Sequence, residues 1–270
     1  MFNFSQEWNF PSNNYGQILG IADSGVETFK GTPIKSLARE ICQNSLDAAL
    51  NNNNPIKIEF KTFKLNPEQI PDYNNLEDAL NRALDFWSQQ QSTKAKTFFK
   101  QALDVIHQPI ITCLRISDFN TTGLIGSREE YNSPWCNLTK SSGASDKSGS
   151  NGGSFGIGKF APYACSALRT VFYSTSDIDG ICASQGISRL TSFKNKNNEI
   201  TQGMGFYGND KNSPMYSQYF LDSTYSRDTE NSGTDIYIYW LLLANLDGKT
   251  KWSLLFWMVS FTLFIMELWL

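Results

Sequence analysis

Residues 36–50 read SLAREICQNSLDAAL, and the fold is decided by how this stretch is taken. At about 100° per residue, Glu40, Asn44 and Asp47 fall within an arc of roughly 60° on a helix. Ile34, Leu37, Ile41 and Ala48 form an adjoining apolar stripe. The polar row therefore borders a buried face, where a carboxylate and an amide one turn apart can face a pocket between helix and sheet. In such a pocket Asn holds a hard metal ion through oxygen, and Glu takes a proton from an attacking water. The spacing by itself also fits a solvated helix face. Thr32 and Pro33 supply a cap and a first helical residue, and the asparagine run at 51–54 with Pro55 ends the segment. The pattern predicts a helix from about 33 to 50.

Outward from this helix, residues 56–63 alternate like a strand, and 67–107 carry Leu76, Ala79, Leu80, Ala83, Leu84 and Trp87 at helical spacing. Residues 110–116 form a short apolar strand, and further strands are predicted at 168–174, 181–190 and 234–239. Residues 155–166 read as a helix entry and helix, and 1–31 as an arm or loop. A helix followed by mixed strands and helices suits an α+β protein, with a helix layer packed on one face of a mixed sheet.

The 270 residues, 18% charged with a formal net charge of -3, describe a globular chain with no general electrostatic pull towards nucleic acid. Cys42, Cys113, Cys136, Cys165 and Cys182 are scattered and accompanied by one histidine, His107. That pattern argues against a zinc site or a disulfide framework, and for reduced thiols in a cytoplasm.

Two further segments carry chemistry. Residues 139–153 are a Ser/Gly/Lys loop, and residues 152–159 (GGSFGIGK) place four glycines ahead of a helix. Glycines let backbone N–H groups approach phosphate oxygens, and a helix N-terminus adds positive potential. From Gly153 to Lys159 the spacing nearly matches a Walker A loop. However, Phe160 stands where Ser or Thr should hold magnesium, and no strand feeds the loop. The dinucleotide-binding glycine fingerprint fails for the same want of a strand. Asp118 ends a strand ahead of a turn that closes at Gly123; it reads either as an acceptor for the exocyclic amine of adenine or as an Asx-turn. Gly233-Thr234 opens an alternating strand whose Thr hydroxyl either completes such a site or simply starts the strand.

In this order, REICQNSLDA, LRISDFNTTGL, GGSFGIGKFA and SGTDIYI resemble the four nucleotide-binding boxes of the GHKL ATPases, nearest to the heat-shock-chaperone and MORC-like branches. The resemblance spans roughly residues 20–240. It implies the Bergerat ATP-binding fold, a two-layer α/β sandwich, over residues 32–245, with ATP and Mg²⁺ as cofactors. By the same resemblance Glu40 is the general base, Asn44 ligates Mg²⁺ and Asp47 lines the site. Asp118 binds the adenine amine with Thr234, beside the turn at Gly123. Gly153, Gly156 and Gly158 offer N–H groups to the phosphates with Lys159 nearby, and residues 139–152 are the ATP lid. One departure is that Asn120 replaces the family's first glycine after the aspartate, with an extra residue before Gly123. A histidine kinase is disfavoured, because His107 follows the first box instead of preceding it. The remaining branches close a dimer on ATP and act on DNA or on proteins, and the sequence leaves the client open. A nucleotide-binding switch without turnover, or an inactive fragment, stands as the rival to an ATP hydrolase.

Residues 253–270 are almost wholly apolar, with Glu267 the one charge. This tail, taken from 246, reads as a frameshifted or truncated end, as a membrane anchor, or as a buried final helix.

Overall fold

The computed structural model describes residues 6–50, 54–141, 158–228, 230–242 and 263–268. The helix Pro33–Asp47 has Thr32 at its N-cap and proline at its first turn. It follows a four-residue helix, Ser24–Glu27, and the two are labelled α1 and α2. α2 ends at Asp47 instead of running on to 50, because its following residues are stitched elsewhere. Thr122 N donates to Ala48 O (2.7 Å), and Ala49 bridges Thr121. The helix end is thus tied to the turn that follows Asp118.

Seven strands form the body of one sheet, which an eighth extends at the β2 edge: β1 (Glu7–Asn9), β2 (Ile56–Leu65), β3 (Ile111–Phe119), β4 (Thr170–Ser176), β5 (Cys182–Arg189), β6 (Met204–Gly208) and β7 (Gly233–Ile238). Their order is β1-β6-β5-β4-β7-β3-β2, and every pairing is antiparallel. The expected mixed sheet is therefore corrected to an antiparallel one. Two of the strands, β1 within the predicted arm and β6, carried no strand pattern strong enough to read. β1 is held by Trp8, which is buried and donates its indole N–H to Pro71 O.

Helices cover both faces of the sheet, which corrects the expectation of a single helical layer. Val171, Tyr173, Leu114, Ile116, Ile236 and Ile238 pack with Val26 of α1, Leu37 and Ile41 of α2, and Tyr163 of a short helix, Ala161–Ala164. The alternate residues Phe172, Cys113, Tyr237 and Tyr239 pack against a helical hairpin, α3 (Tyr73–Gln89) and α4 (Thr93–Ile106). The cause is the sequence of the central strands. β4 is buried at all seven positions, and side chains alternate across a sheet, so each face carries apolar surface that needs its own cover. The predicted helical periodicity of 67–107 holds, with Leu76, Ala79, Leu80 and Ala83 buried. The chain reverses at Gln90–Ser92, where Gln91 takes a left-handed conformation (φ 56°).

In chain order the remaining helices are α5 (Pro134–Thr139) and α6, the Ala161–Ala164 helix already met. In the tail, Leu263–Leu268 is a strand, β8, running antiparallel along β2. The spanning-helix and final-helix readings do not hold for these six residues. The outer edge of β2 offers unpaired backbone groups, and an extended chain satisfies them. The rest of the tail lies outside the described residues. Among the described residues no helix is long and apolar enough to cross a membrane.

Phe99 of α4 is fully buried beneath the sheet. Phe99→Ala is expected to cost about 3–5 kcal/mol, seen as a lower urea midpoint at unchanged slope; a loss below about 1 kcal/mol would show that the hairpin is not part of the core.

Candidate functional site

The site lies where the C-terminal half of α2 meets the end of β3 and the start of β7. The register aligns Ile58 of β2 with Asp118, and Ser117 of β3 with Asp235 of β7, so Asp118 and Thr234 are neighbours on the α2 side of the sheet. Asp118 Oδ1 accepts from Thr234 N (2.6 Å) and from Thr121 Oγ1 (3.0 Å). Its Oδ2 accepts from Ser45 Oγ (3.0 Å) on α2. One carboxylate thus joins a helix, a turn and a strand. Burial pushes its acidity towards a higher pKa, opposed by the Arg227 charge and by these three donors.

The row on α2 divides. Glu40 is buried, with Oε1 held by Arg39 Nη2 (2.8 Å). A Cβ placed on Gly158 would lie 1.9 Å from Glu40 Oε2, so the carboxylate occupies the space that a side chain at 158 would need. Asn44 and Asp47 are exposed, and Asp47 Oδ1 accepts from Gln43 Nε2 (2.8 Å). Glu40 and Gly158, named from separate boxes, come together. Asn44 and Asp47 stay at the rim.

The turn after Asp118 is built from left-handed residues. Asn120 (φ 62°) and Gly123 (φ 64°) both lie in the region that asparagine and glycine tolerate best. Asn120 meets the backbone demand in place of glycine and also donates to Asn54 O (2.7 Å). At Gly123 a Cβ would lie 2.6 Å from Ser176 O. Thr175 clips this turn to β7. Its hydroxyl accepts from Leu124 N (2.9 Å), donates to Gly233 O (3.0 Å) and lies 3.5 Å from the Thr234 hydroxyl.

Lys159 is engaged away from Glu40. Its ammonium donates to Asn137 O (2.6 Å) and Ser141 O (2.7 Å) at the end of α5. Burial first, then the neighbouring Arg189 charge, lower its pKa. Gly153, Gly156 and residues 142–152 of the expected lid lie outside the described residues.

Sequence reasoning missed Ser45, Thr121 and Thr175. The one signal for Ser45 was its place one turn after Ile41, on the inner side of the polar row. It also missed Arg227, which is buried beneath the same strand ends and grips Asp235 with two nitrogens, Nη2 to Oδ1 (2.8 Å) and Nε to Oδ2 (3.0 Å).

A raised folded-state pKa for Asp118 sets the sign of a pH effect. The folded protein holds this proton more tightly, so the contribution of Asp118 to stability is full below the unfolded value. It is lost as pH rises through the folded value. In urea unfolding across pH, the stability of the protein relative to Asp118→Asn is expected to fall as pH climbs above the ordinary carboxylate range, then level off. A relative stability that rises with pH over this window would contradict the assignment. Compared with known proteins, the chain matches no protein-family model and no curated protein sequence.

Proposed function

We propose that this chain binds ATP with Mg²⁺ between α2 and the ends of β3 and β7, as a GHKL-type ATPase domain of Bergerat fold. The observation that carries the reading is the convergence on Asp118. A carboxylate offers about four acceptor directions, and the three donors Ser45, Thr121 and Thr234 leave room for one more. Asp118 is half-buried at the sheet end, which suits a further N–H donor such as the exocyclic amine of adenine.

The remaining roles follow from chemistry and position. Asn44 carries a hard oxygen one turn along α2 from Glu40, suited to Mg²⁺, with Asp47 at the same rim. Glu40 is the candidate general base for water, and the Thr234 hydroxyl stands beside Asp118. The bound metal would neutralise phosphate charge and polarise the terminal phosphoryl group. Phosphate contacts by Gly153, Gly156, Gly158 and Lys159, closure into a homodimer on nucleotide binding, and action on a DNA or protein client rest on the resemblance of the four boxes.

A second reading is a nucleotide-binding switch without turnover. It is favoured by Glu40 itself, whose carboxylate is buried and held by Arg39.

Heat-denaturation curves test binding. ATP-Mg²⁺ at a hundredfold excess over Kd is expected to raise Tm by about 5 °C, and Asp118→Asn to abolish the rise. No rise at millimolar ATP would end the proposal. Glu40→Ala should keep the rise. In an ATPase it should lower steady phosphate release at least about a hundredfold, whereas binding without any release in the unaltered protein selects the switch.

A further inference from the structure

Among the described residues is a dense group of charges that the nucleotide reading does not use. It lies on the α3–α4 side of β3 and β7. Arg115 stacks on Tyr225 (3.6 Å to the ring centre) and reaches Glu59 and Asp222 (3.4 Å each). Beside it Arg227, also buried, stacks on Phe119 (4.6 Å) and holds Asp235 in a two-nitrogen grip. Both Asp235 oxygens are engaged by this grip, and Tyr225 adds a third bond to Oδ1 (2.8 Å).

The third nitrogen of Arg227, Nη1, donates to Asn231 O (3.4 Å). It lies 2.5 Å from the point where a Cβ on Gly233 would stand. Asp118 Oδ1 lies 2.9 Å from that same point, and Asp118 O lies 2.2 Å from it. The two charged groups are therefore no more than about 6 Å apart, within the range at which an opposite charge favours ionisation. Both stand around the place that a side chain at Gly233 would fill. Gly233 is thus a gap in the sheet end, through which a cation on one face acts on a carboxylate on the other.

We propose that Arg227 is a positioning residue for Asp118, reaching through the gap at Gly233 to favour the ionised form of the carboxylate and keep it aimed at its donor. This inference rests on Asp118 being the base-contacting residue. The charged groups around it leave this role to Arg227. Asp47 of α2 is exposed and bonded to Gln43. Asp235 of β7 faces the opposite side. Lys57 of β2 pairs with Glu59 (2.7 Å), and Asp222 engages Lys61 and Arg115. From α2 and the turn Asp118 receives the neutral hydroxyls of Ser45 and Thr121. The direction in which Arg227 acts on the pKa of Asp118, downward, agrees with the geometry.

The test removes the pair as a unit, since breaking one half of a buried ion pair strands the other charge. In nucleotide-free protein carrying Arg227→Met and Asp235→Leu, the carboxyl ¹³C signal of Asp118 is titrated by NMR. Its assignment comes from its disappearance in Asp118→Asn. The titration is expected to move to higher pH. Adenine-nucleotide affinity should fall about tenfold for each unit by which the midpoint exceeds the working pH, and recover as pH rises. If near-UV circular dichroism shows that the double variant does not fold, Arg227→Lys takes its place. The same upward movement is expected there, because one ammonium bound to Asp235 cannot also reach the gap. An unmoved titration in a folded variant overturns the proposal, since a residue that merely anchors Asp235 would leave Asp118 unchanged. A moved titration in a chain that binds no adenine nucleotide keeps the coupling and rejects the nucleotide reading instead.

Discussion

At Asp118 a side chain from the end of β3 accepts hydrogen bonds from Ser45 on α2, Thr121 in the following turn and the Thr234 amide on β7. Each of these donors belongs to a different part of the chain. Loss of the carboxylate would leave donors unpaired where helix, turn and strand meet, which costs more than the mean value of a hydrogen bond. The end of α2 at Asp47, the bridge from Ala49 to Thr121 and the left-handed Asn120 follow from the same constraint. They hold the helix end close enough for Ser45 to reach.

Glycines define the space around this junction by what they leave out. At Gly158 the absent side chain admits the Glu40 carboxylate, and at Gly233 it admits Asp118 from one side and Arg227 from the other. Packing at these points is between polar groups, so a methyl group would displace a charge and not simply fill a void. That places electrostatics and backbone geometry in one arrangement, because the acidity of Asp118 depends on how closely the strand ends approach.

The wider fold supports this through two-sided burial. α2 covers one face of the central strands and the α3–α4 hairpin covers the other. The strand ends are therefore held from above and below, while the end of the sheet that carries Asp118 stays partly open. The hairpin contributes no residue to the site, and its part is to fix the sheet on which the site is built.

Local patterns alone indicated α2, β2, β3 and the helical character of 67–107, and singled out Glu40, Asp118 and Gly158 without deciding between a site and an ordinary helix face or turn, because helical periodicity, strand alternation and turn residues act over a few neighbours. Only the tertiary structure decided that the sheet is antiparallel, that both its faces are covered and that β1 and β6 belong to it. It also decided that Ser45 reaches Asp118 across 73 residues of sequence, and that Arg227 lies behind the gap at Gly233. Pairing partners and through-sheet contacts depend on which segments meet in space. A serine or an arginine carries no mark of its distant partner until the core has packed.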